Sequence, residues 1–420
     1  MLYDRWLQTV KAYGNDRALT EVASGRTWSF RELAKAADAN SRVPRDPMIF
    51  PSGNSPEFII EVLQAWREGS VVCPLEPLTP SPTIPLPPPG ITHLKLTSGT
   101  TGSAKCVAFT EGQLAADADT IVATMNLTPS APNLGVISLA HSYGFSSLVT
   151  PMLLHGIPLI LAANPMPATV LEAARISGNE RLTLPAVPAM WRAWHEAQAI
   201  PENIWLAISA GASLPLHLEQ AIHGTHGLKV HNFVGASECG GMIYDTSITP
   251  RTVPGFAGRA MQGVSLSRNA EGCLEVRGPG VGARYWPESH AALRAGVYRT
   301  RDLAELDAHG GVILRGRLDD LINIAGRKVA PEAIETVLRL HSSVRECLVL
   351  GVSGAGYRGE TIVAIIESKA GASENDLRQF AQASLPEWQI PKHWHFVEAL
   401  APNGRGKLSR AEWRTRLSRD

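Results

Sequence analysis

Between about residues 91 and 245, short apolar runs alternate with longer segments of helical period. The runs at 134–139, 157–161 and 205–209 are strand-length and rich in Leu, Ile and Val, so they predict buried strands. Residues 111–125 and 189–198 predict helices, the first opened by Thr110 and Gln113 at capping-box spacing. This alternation implies an α/β fold with mostly parallel sheets flanked by helices. The most apolar stretch, 147–163, is interrupted by Pro151, His155 and Pro158. A membrane span needs about 20 mostly apolar residues, so this stretch predicts buried strands and helices instead. Residues 74–90, PLEPLTPSPTIPLPPPG, hold too many prolines for a helix or a central strand and predict an extended connector.

Beyond about residue 316 the pattern changes. Ile334, Val337 and Leu338 mark one helix face, the runs 345–350 and 361–366 predict strands, and 375–384 predicts a further helix. The expected organisation is a large N-terminal α/β domain over 1–316 and a small α+β domain over 317–420.

Composition narrows the class. A chain of 420 residues fits two or three domains at about 150 residues each. It is 44% apolar and 19% charged, and its 39 basic residues balance 39 acidic ones, so no general affinity for nucleic acid is expected. Five scattered cysteines without a CxxC pair argue against a disulfide framework and a zinc site. The first ten residues, MLYDRWLQTV, carry charges and no apolar core, so no secretory signal is read and the cytoplasm is the expected location. No internal repeat and no LGGxSL-type carrier signature is found.

The strongest chemical signal is TSGTTGSAKCV, residues 97–107. Gly99, Gly102 and their small neighbours let backbone N–H groups approach phosphates, Thr97, Ser98, Thr100 and Thr101 offer hydroxyls, and Lys105 adds a positive charge. It is not a Walker A loop, because Ala104 and Cys106 flank the lysine where Gly and Ser or Thr are required. On its own such a loop is as readily a flexible turn. In context it resembles the phosphate loop of the adenylate-forming superfamily, which includes acyl- and aryl-CoA synthetases, peptide-synthetase adenylation domains and luciferase. Four further segments resemble that family's motifs in the family's order.

HNFVGASE (231–238) resembles the segment in which Glu238 would hold a magnesium ion bridging the ATP phosphates. Gly235, Ala236 and Ser237 would line the nucleotide; Ser237 stands for the usual Thr, and Val234 for the aromatic that lies against adenine. VYRTRDLAEL (297–306) implies that Asp302 accepts hydrogen bonds from the ribose, with Arg301 where the family has glycine. GRLDDLINIAGRKVAPEAIE (316–335) implies a ribose contact from Arg317, a hinge at Asp319 and a thiol-side loop at Gly326, Arg327 and Lys328. PNGRGKLSR (402–410) implies that Lys407 is the catalytic lysine of adenylation. Read without the family, Glu238 is a solvated charge, 317–320 a polar turn and Lys407 an exposed tail lysine.

The acyl pocket is less sharply marked. AHSYGFSS (140–147) makes His141 a wall or gate of the carboxylate site, or equally a helix-start histidine satisfied by backbone. ISAGASLP (208–215) puts Ala210, Gly211 and Ala212 along the acyl group, with Val187 and Val234 beside them. RTWSFRELAKAAD (26–38) and REGSVVCPLEP (67–77) also resemble family segments. The chain then reaches the phosphate loop in about twenty residues, so the proline-rich connector, over 78–90, replaces part of the N-terminal subdomain.

The resemblance implies ATP-dependent activation of a carboxylic acid as acyl-AMP with Mg2+, then transfer to a thiol by rotation of a mobile small domain. The thiol would be coenzyme A, or the phosphopantetheine arm of a separate acyl carrier protein. Luciferase-like oxygenation shares the same motifs, and a non-catalytic acyl-nucleotide sensor is the alternative of another class. Small residues around the pocket fit an aryl ring or a medium acyl chain, and an o-succinylbenzoate-type acid is a further expectation.

Overall fold

The computed structural model describes residues 1–39, 46–97, 105–353, 359–368, 372–400 and 408–417. They form two compact units. The first comprises Met1–Arg251, Ala257–Ser267 and Glu275–Arg299; the second comprises Thr252–Phe256, Arg268–Leu274 and Thr300–Asp420.

The first unit is built on two sheets. One sets the strands Arg17–Glu21, Leu159–Leu161, Asn133–Gly135, Leu182–Ala186, Ile204–Ser209 and Val230–Ala236 side by side, all parallel, and then turns back antiparallel along Gly240–Tyr244. The other runs from Met48–Ile49 through Val71–Val72 to Ile91–Thr97 in parallel, then antiparallel through Lys105–Thr110 to Arg284–Trp286. The capping box forms as expected: the Thr110 hydroxyl accepts the Gln113 N–H, the Gln113 side chain accepts the Thr110 N–H, and the helix runs Glu111–Met125.

Two segments depart from their predicted shape. The strand expected over 134–139 is only Asn133–Gly135. Past Gly135 the backbone takes side-chain partners instead of a neighbouring strand: Asn54 Nδ2 donates to the Ile137 carbonyl at 3.2 Å, and the Leu139 N–H donates to Asn54 Oδ1 at 2.9 Å. The apolar stretch near 147–163 divides into a π-turn at Phe145–Val149, a helix at Thr150–His155 and the strand Leu159–Leu161. Among the described residues, no helix is long and apolar enough to cross a membrane. The proline-rich connector is extended, and its Pro85 carbonyl accepts the Trp286 indole N–H at 2.7 Å.

One buried ionic cluster pins the end of the parallel sheet. Glu219 is fully buried and accepts from Lys229, from Arg251 Nε at 2.7 Å and from the Arg251 N–H at 3.0 Å. Lys229 also donates to Asp245 at 2.7 Å. Lys229 directly precedes the strand Val230–Ala236, and Asp245 directly follows its partner Gly240–Tyr244. The cluster therefore clamps the base of the hairpin whose tip carries Gly235 to Glu238.

In the second unit, the hairpin Ile322–Ile324 and Arg327–Val329 precedes the helix Pro331–Leu338 and the sheet of Val344–Ser353, Glu360–Ser368 and His393–Val397. Ile334 and Leu338 are buried against Val349, Ile362 and Leu377, with Val337 half-buried at the edge of that face. The helix Glu374–Gln382 closes the core and is capped by Ser373.

Candidate active site

In the first unit, the tip of the Val230–Ala236 and Gly240–Tyr244 hairpin is narrow by necessity. Gly235 faces Gly241 and Ala236 faces Gly240, and a Cβ on Gly235 would come within 2.8 Å of the Gly240 carbonyl oxygen. Gly240 holds φ +66°, and the space beside it is filled by the Asp117 carboxylate, which accepts the Gly241 N–H at 3.0 Å. Asp117 is itself buried, bonded to Ser146 at 2.6 Å and 3.6 Å from the Lys95 ammonium. The hairpin tip thus rests on an internally satisfied polar post.

Glu238 follows this tip, half-buried, and accepts the Tyr285 hydroxyl at 3.0 Å. Burial, together with the nearby Glu238 charge, pushes the Tyr285 phenol up, so it stays a donor. Tyr285 pairs with Val107 in the strand that leaves the loop expected to bind phosphate. Glu238 is thereby held beside the neck of that loop. The neck is an antiparallel pair of Thr97 with Lys105, closed by the Thr97 hydroxyl donating to the Lys105 carbonyl at 3.1 Å. Lys105 is exposed, and Ser98, Gly99, Thr100, Thr101 and Gly102 lie outside the described residues. A half-buried carboxylate at this place supplies the hard oxygen donor that Mg2+ prefers, so the residues present fit that ion.

His141 caps the short helix Ser142–Gly144, its Nδ1 accepting the Tyr143 N–H at 3.3 Å. This is the helix-start arrangement. The same turn ties together the residues expected to line the acyl pocket. Ser142 and Ser237 hydroxyls lie 3.1 Å apart, and the Tyr143 hydroxyl donates to the Ala186 carbonyl at 3.5 Å. Ala186 also accepts the Ala210 N–H at 3.1 Å. Val187 starts the helix Pro188–Glu196 and stands against Gly211, whose φ of +84° and 3.3 Å clearance to Val187 Cγ1 leave room for no side chain without adjustment. His141, Val187, Ala210 and Gly211 are thus linked through Tyr143 and Ala186, and Ala212 is exposed beside them. Val234 is half-buried, while the neighbouring Phe233 ring meets Tyr143 at 5.8 Å. Sequence reasoning missed Ser142, Tyr143 and Tyr285. The first two lie inside the AHSYGFSS motif; Tyr285 has no local signal, because only sheet pairing brings it to Glu238.

In the second unit, Asp302 and Arg317 are register partners on adjacent strands, their charged groups 3.7 Å apart. The Asp302 N–H is fixed by the Thr300 hydroxyl at 3.0 Å. Arg301 directs both Nε and Nη2 to Asp319 Oδ1, at 3.0 and 2.7 Å, and this hydrogen bonding holds the Asp319 carboxyl below the usual carboxylate range. Asp319 sits in the turn Leu318–Asp320. Gly326, at φ +89° after Ala325 at +49°, forms the tip of the two-residue hairpin whose next strand begins with Arg327 and Lys328. Arg327 lies over the Trp388 ring at 5.6 Å, and Lys328 is exposed. Lys407 lies outside the described residues.

The class is given by the family models: residues 82–286 match the AMP-binding enzyme model and 333–407 match the AMP-binding enzyme C-terminal domain, together more than half of the chain. The chain belongs to the AMP-binding, adenylate-forming enzymes. It is 28% identical over 343 residues to a long-chain-fatty-acid–CoA ligase of Bacillus subtilis, a match covering 76% of this chain and 60% of that protein. It is 29% identical over 352 residues to an anthranilate–CoA ligase of Pseudomonas aeruginosa, covering 78% of this chain and 67% of that one. The fold is that of ATP-bound MatB from Rhodopseudomonas palustris, with a TM-score of 0.87, 21% identity and 99% of both chains covered.

Proposed function

We propose that this chain is an AMP-forming carboxylate–thiol ligase that makes an aryl or acyl thioester of coenzyme A. In the first half-reaction a carboxylate oxygen attacks the α-phosphorus of ATP, a new O–P bond forms, and pyrophosphate leaves with the electrons of the old one. In the second, the thiol sulfur attacks the acyl carbonyl, loses its proton, and AMP departs.

The observation that carries this reading is Glu238 held by Tyr285 beside the neck of the phosphate loop. Glu238 would hold a magnesium ion there, and the ion would neutralise part of the triphosphate charge. Ser237, tied to Ser142, fixes the pocket wall relative to the nucleotide segment. Asp302 and Arg317 bind the ribose, Lys407 stabilises the charge that builds at the α-phosphate, and the hairpin at Gly326 to Lys328 serves the thiol step after the small domain turns about Asp319. The CoA ligases among the relatives favour coenzyme A over a carrier-bound phosphopantetheine, and their acids, a long-chain fatty acid and anthranilate, support an acyl or aryl substrate.

Acid-dependent ATP–pyrophosphate exchange across benzoate, anthranilate, 2-succinylbenzoate, octanoate and acetate tests the first half. Thioester formation with coenzyme A, or with a holo carrier protein, tests the second. Silence with every acid, from folded protein with magnesium present, would favour an acyl-nucleotide sensor.

Asp302→Ala is expected to weaken ATP binding about tenfold or more, since hydrogen bonds to a charged group contribute about 1.5–3 kcal/mol. Unchanged nucleotide affinity by calorimetry would remove Asp302 from the ribose site. A smaller effect is expected from Arg301→Gly. Both Arg301 and Asp319 are about half exposed, so their pair is worth under about 1 kcal/mol, and the ratio of the two half-reaction rates should move less than about fivefold. Because the Asp319 pKa is lowered, the pair's contribution is complete above the ordinary carboxylate pKa of about 4 and is lost only as pH falls through the lowered value. Arg301→Gly should therefore leave the shape of the pH–rate profile unchanged near neutrality, and an altered slope there would show that Arg301 acts on another group.

A further inference from the structure

Inside the first unit, one buried polar chain joins segments that are far apart in sequence. Lys95 lies two residues before Thr97, where the strand Ile91–Thr97 reaches the neck it forms with Lys105. Asp117 lies on the helix Glu111–Met125, and Ser146 lies on the π-turn Phe145–Val149 that follows Ser142–Gly144. All three residues are buried. The Lys95 ammonium donates to the Ser146 hydroxyl at 3.1 Å, and that hydroxyl donates to Asp117 Oδ2 at 2.6 Å. The ammonium also stands 3.6 Å from Asp117 Oδ2 and 4.6 Å from the centre of the Phe109 ring. Asp117 Oδ1 continues the chain by accepting the Gly241 N–H at 3.0 Å, three residues past Glu238.

That last bond falls at the turn that carries Glu238. The turn is closed by the Cys239 N–H donating to the Ala236 carbonyl at 3.2 Å. At its far end a Cβ on Gly240 would come within 1.9 Å of Asp117 Oδ1, so the backbone packs directly on the carboxylate. A Cβ on Gly280 would stand 3.3 Å from Asp117 Cα, which closes the opposite side. Tyr285 holds the Glu238 carboxylate, but only at the end of a flexible side chain. Asp117 fixes the backbone from which that side chain leaves. A buried ion pair is a poor source of stability, because desolvating two charges costs about what their attraction returns. It does supply placement: hydrogen bonds to charged groups are short and strong, so Lys95 and Ser146 set where Oδ2 sits, and Oδ1 sets where Gly241 sits.

We propose that Asp117, anchored by Lys95 and Ser146, is a positioning residue for magnesium-dependent nucleotide binding: it holds the turn carrying Glu238 at a fixed place relative to the Thr97 and Lys105 neck. This rests on the role given to Glu238. Asp117 acts through the ligand rather than on the ion, and loss of such a supporting partner typically costs about 10–100-fold in metal affinity. The effect is confined to the metal. AMP bound without magnesium makes no demand on the Glu238 carboxylate, so its affinity follows Asp117 only if Asp117 supports the fold as a whole.

The test titrates ATP by calorimetry at graded magnesium chloride, with no carboxylic acid present, and AMP in EDTA. The wild-type full chain is compared with Asp117→Ala, with Lys95→Met combined with Asp117→Asn, and with Glu238→Gln, each checked for folding by urea unfolding. Asp117→Ala removes the acceptor of the Gly241 N–H. The double variant carries neither charge, still offers an amide oxygen to that N–H, and is the one expected to fold fully. The expected result is a half-saturating magnesium concentration raised at least about tenfold in Asp117→Ala and restored to within about threefold of wild type in the double variant. AMP affinity should stay within about threefold of wild type in both. Equal loss of AMP and magnesium–ATP affinity in Asp117→Ala would make Asp117 a purely structural partner and overturn the proposal. So would wild-type magnesium dependence in Asp117→Ala while Glu238→Gln loses it, or a folded double variant no better than Asp117→Ala. Should Asp117→Ala not fold, Ser146→Ala carries the same comparison, because it removes the hydroxyl from Oδ2 and leaves Lys95 beside it. A rise of at least about threefold in the magnesium requirement is expected there, and no rise overturns the proposal. If Glu238→Gln itself keeps the wild-type magnesium dependence, the metal assignment falls first and the role of Asp117 falls with it.

Discussion

Replacing Lys407 by alanine is expected to slow acid-dependent ATP–pyrophosphate exchange about a hundredfold or more, while thiolysis of pre-formed acyl-AMP falls far less. The reason is the distribution of charge along the reaction. In the first half a carboxylate meets the α-phosphate, two anions approach, and negative charge grows on the oxygens around phosphorus. A placed ammonium is stabilised by that charge most strongly in the transition state, and losing one such donor typically costs about 2.7–4 kcal/mol. In the second half a neutral carbonyl is attacked and AMP leaves, so an ammonium at the α-phosphate contributes less. Rapid-quench measurement of each half separately checks this. Equal loss in both would assign Lys407 a general role in binding or folding.

Glu219→Ala is expected to lower the stability of the first unit by about 3–5 kcal/mol, the range found when one partner of a buried ion cluster is removed. Glu219 is fully buried, and its loss takes one of two carboxylates from the nearly buried Lys229 ammonium, which keeps Asp245 and the Val230 carbonyl, and removes the carboxylate that the nearly buried Arg251 guanidinium meets at 2.7 Å. Burial of a charge with too few partners costs more than the removed contacts themselves. Urea unfolding should show the midpoint falling with the slope unchanged. Because Lys229 and Asp245 bracket the hairpin ending at Glu238, magnesium-dependent ATP affinity should weaken in the same variant under folding conditions. A loss under about 1 kcal/mol would mean that water reaches the cluster and replaces the carboxylate.

Much of the architecture was legible because it is local. The capping box at Thr110 and Gln113 set the start of its helix, since both partners lie within one turn. The prolines of the connector forbade regular structure whatever surrounded them. The runs at 157–161 and 205–209 gave the strands Leu159–Leu161 and Ile204–Ser209, because strands of a parallel sheet are buried on both faces and read as short continuous apolar runs. The run at 134–139 misled for the complementary reason. Hydrophobicity reports burial, and residues 136–139 are largely buried, but Asn54, 83 residues away along the chain from Ile137, takes the backbone groups that a strand would share.

The sequence by itself determined the family, the order of the motifs and which residue types carry charge, hydroxyl and thiol chemistry, because those are properties of short segments. Tertiary structure alone decided which of those segments touch. Tyr285 reaches Glu238 only because the Arg284–Trp286 strand pairs with Lys105–Thr110, a register set by the sheet. His141 caps the turn Ser142–Gly144 because that turn needs an acceptor for the Tyr143 N–H. Arg301 reads in the sequence as a departure from glycine and becomes a partner of Asp319 only when the turn after the neighbouring strand brings the two side by side. Arg410 looks like one more arginine in a charged tail until three carboxylates from two distant segments close around it. A hydrogen bond or ion pair depends on distances of a few ångströms between residues far apart in the chain, and nothing in the local pattern encodes those distances.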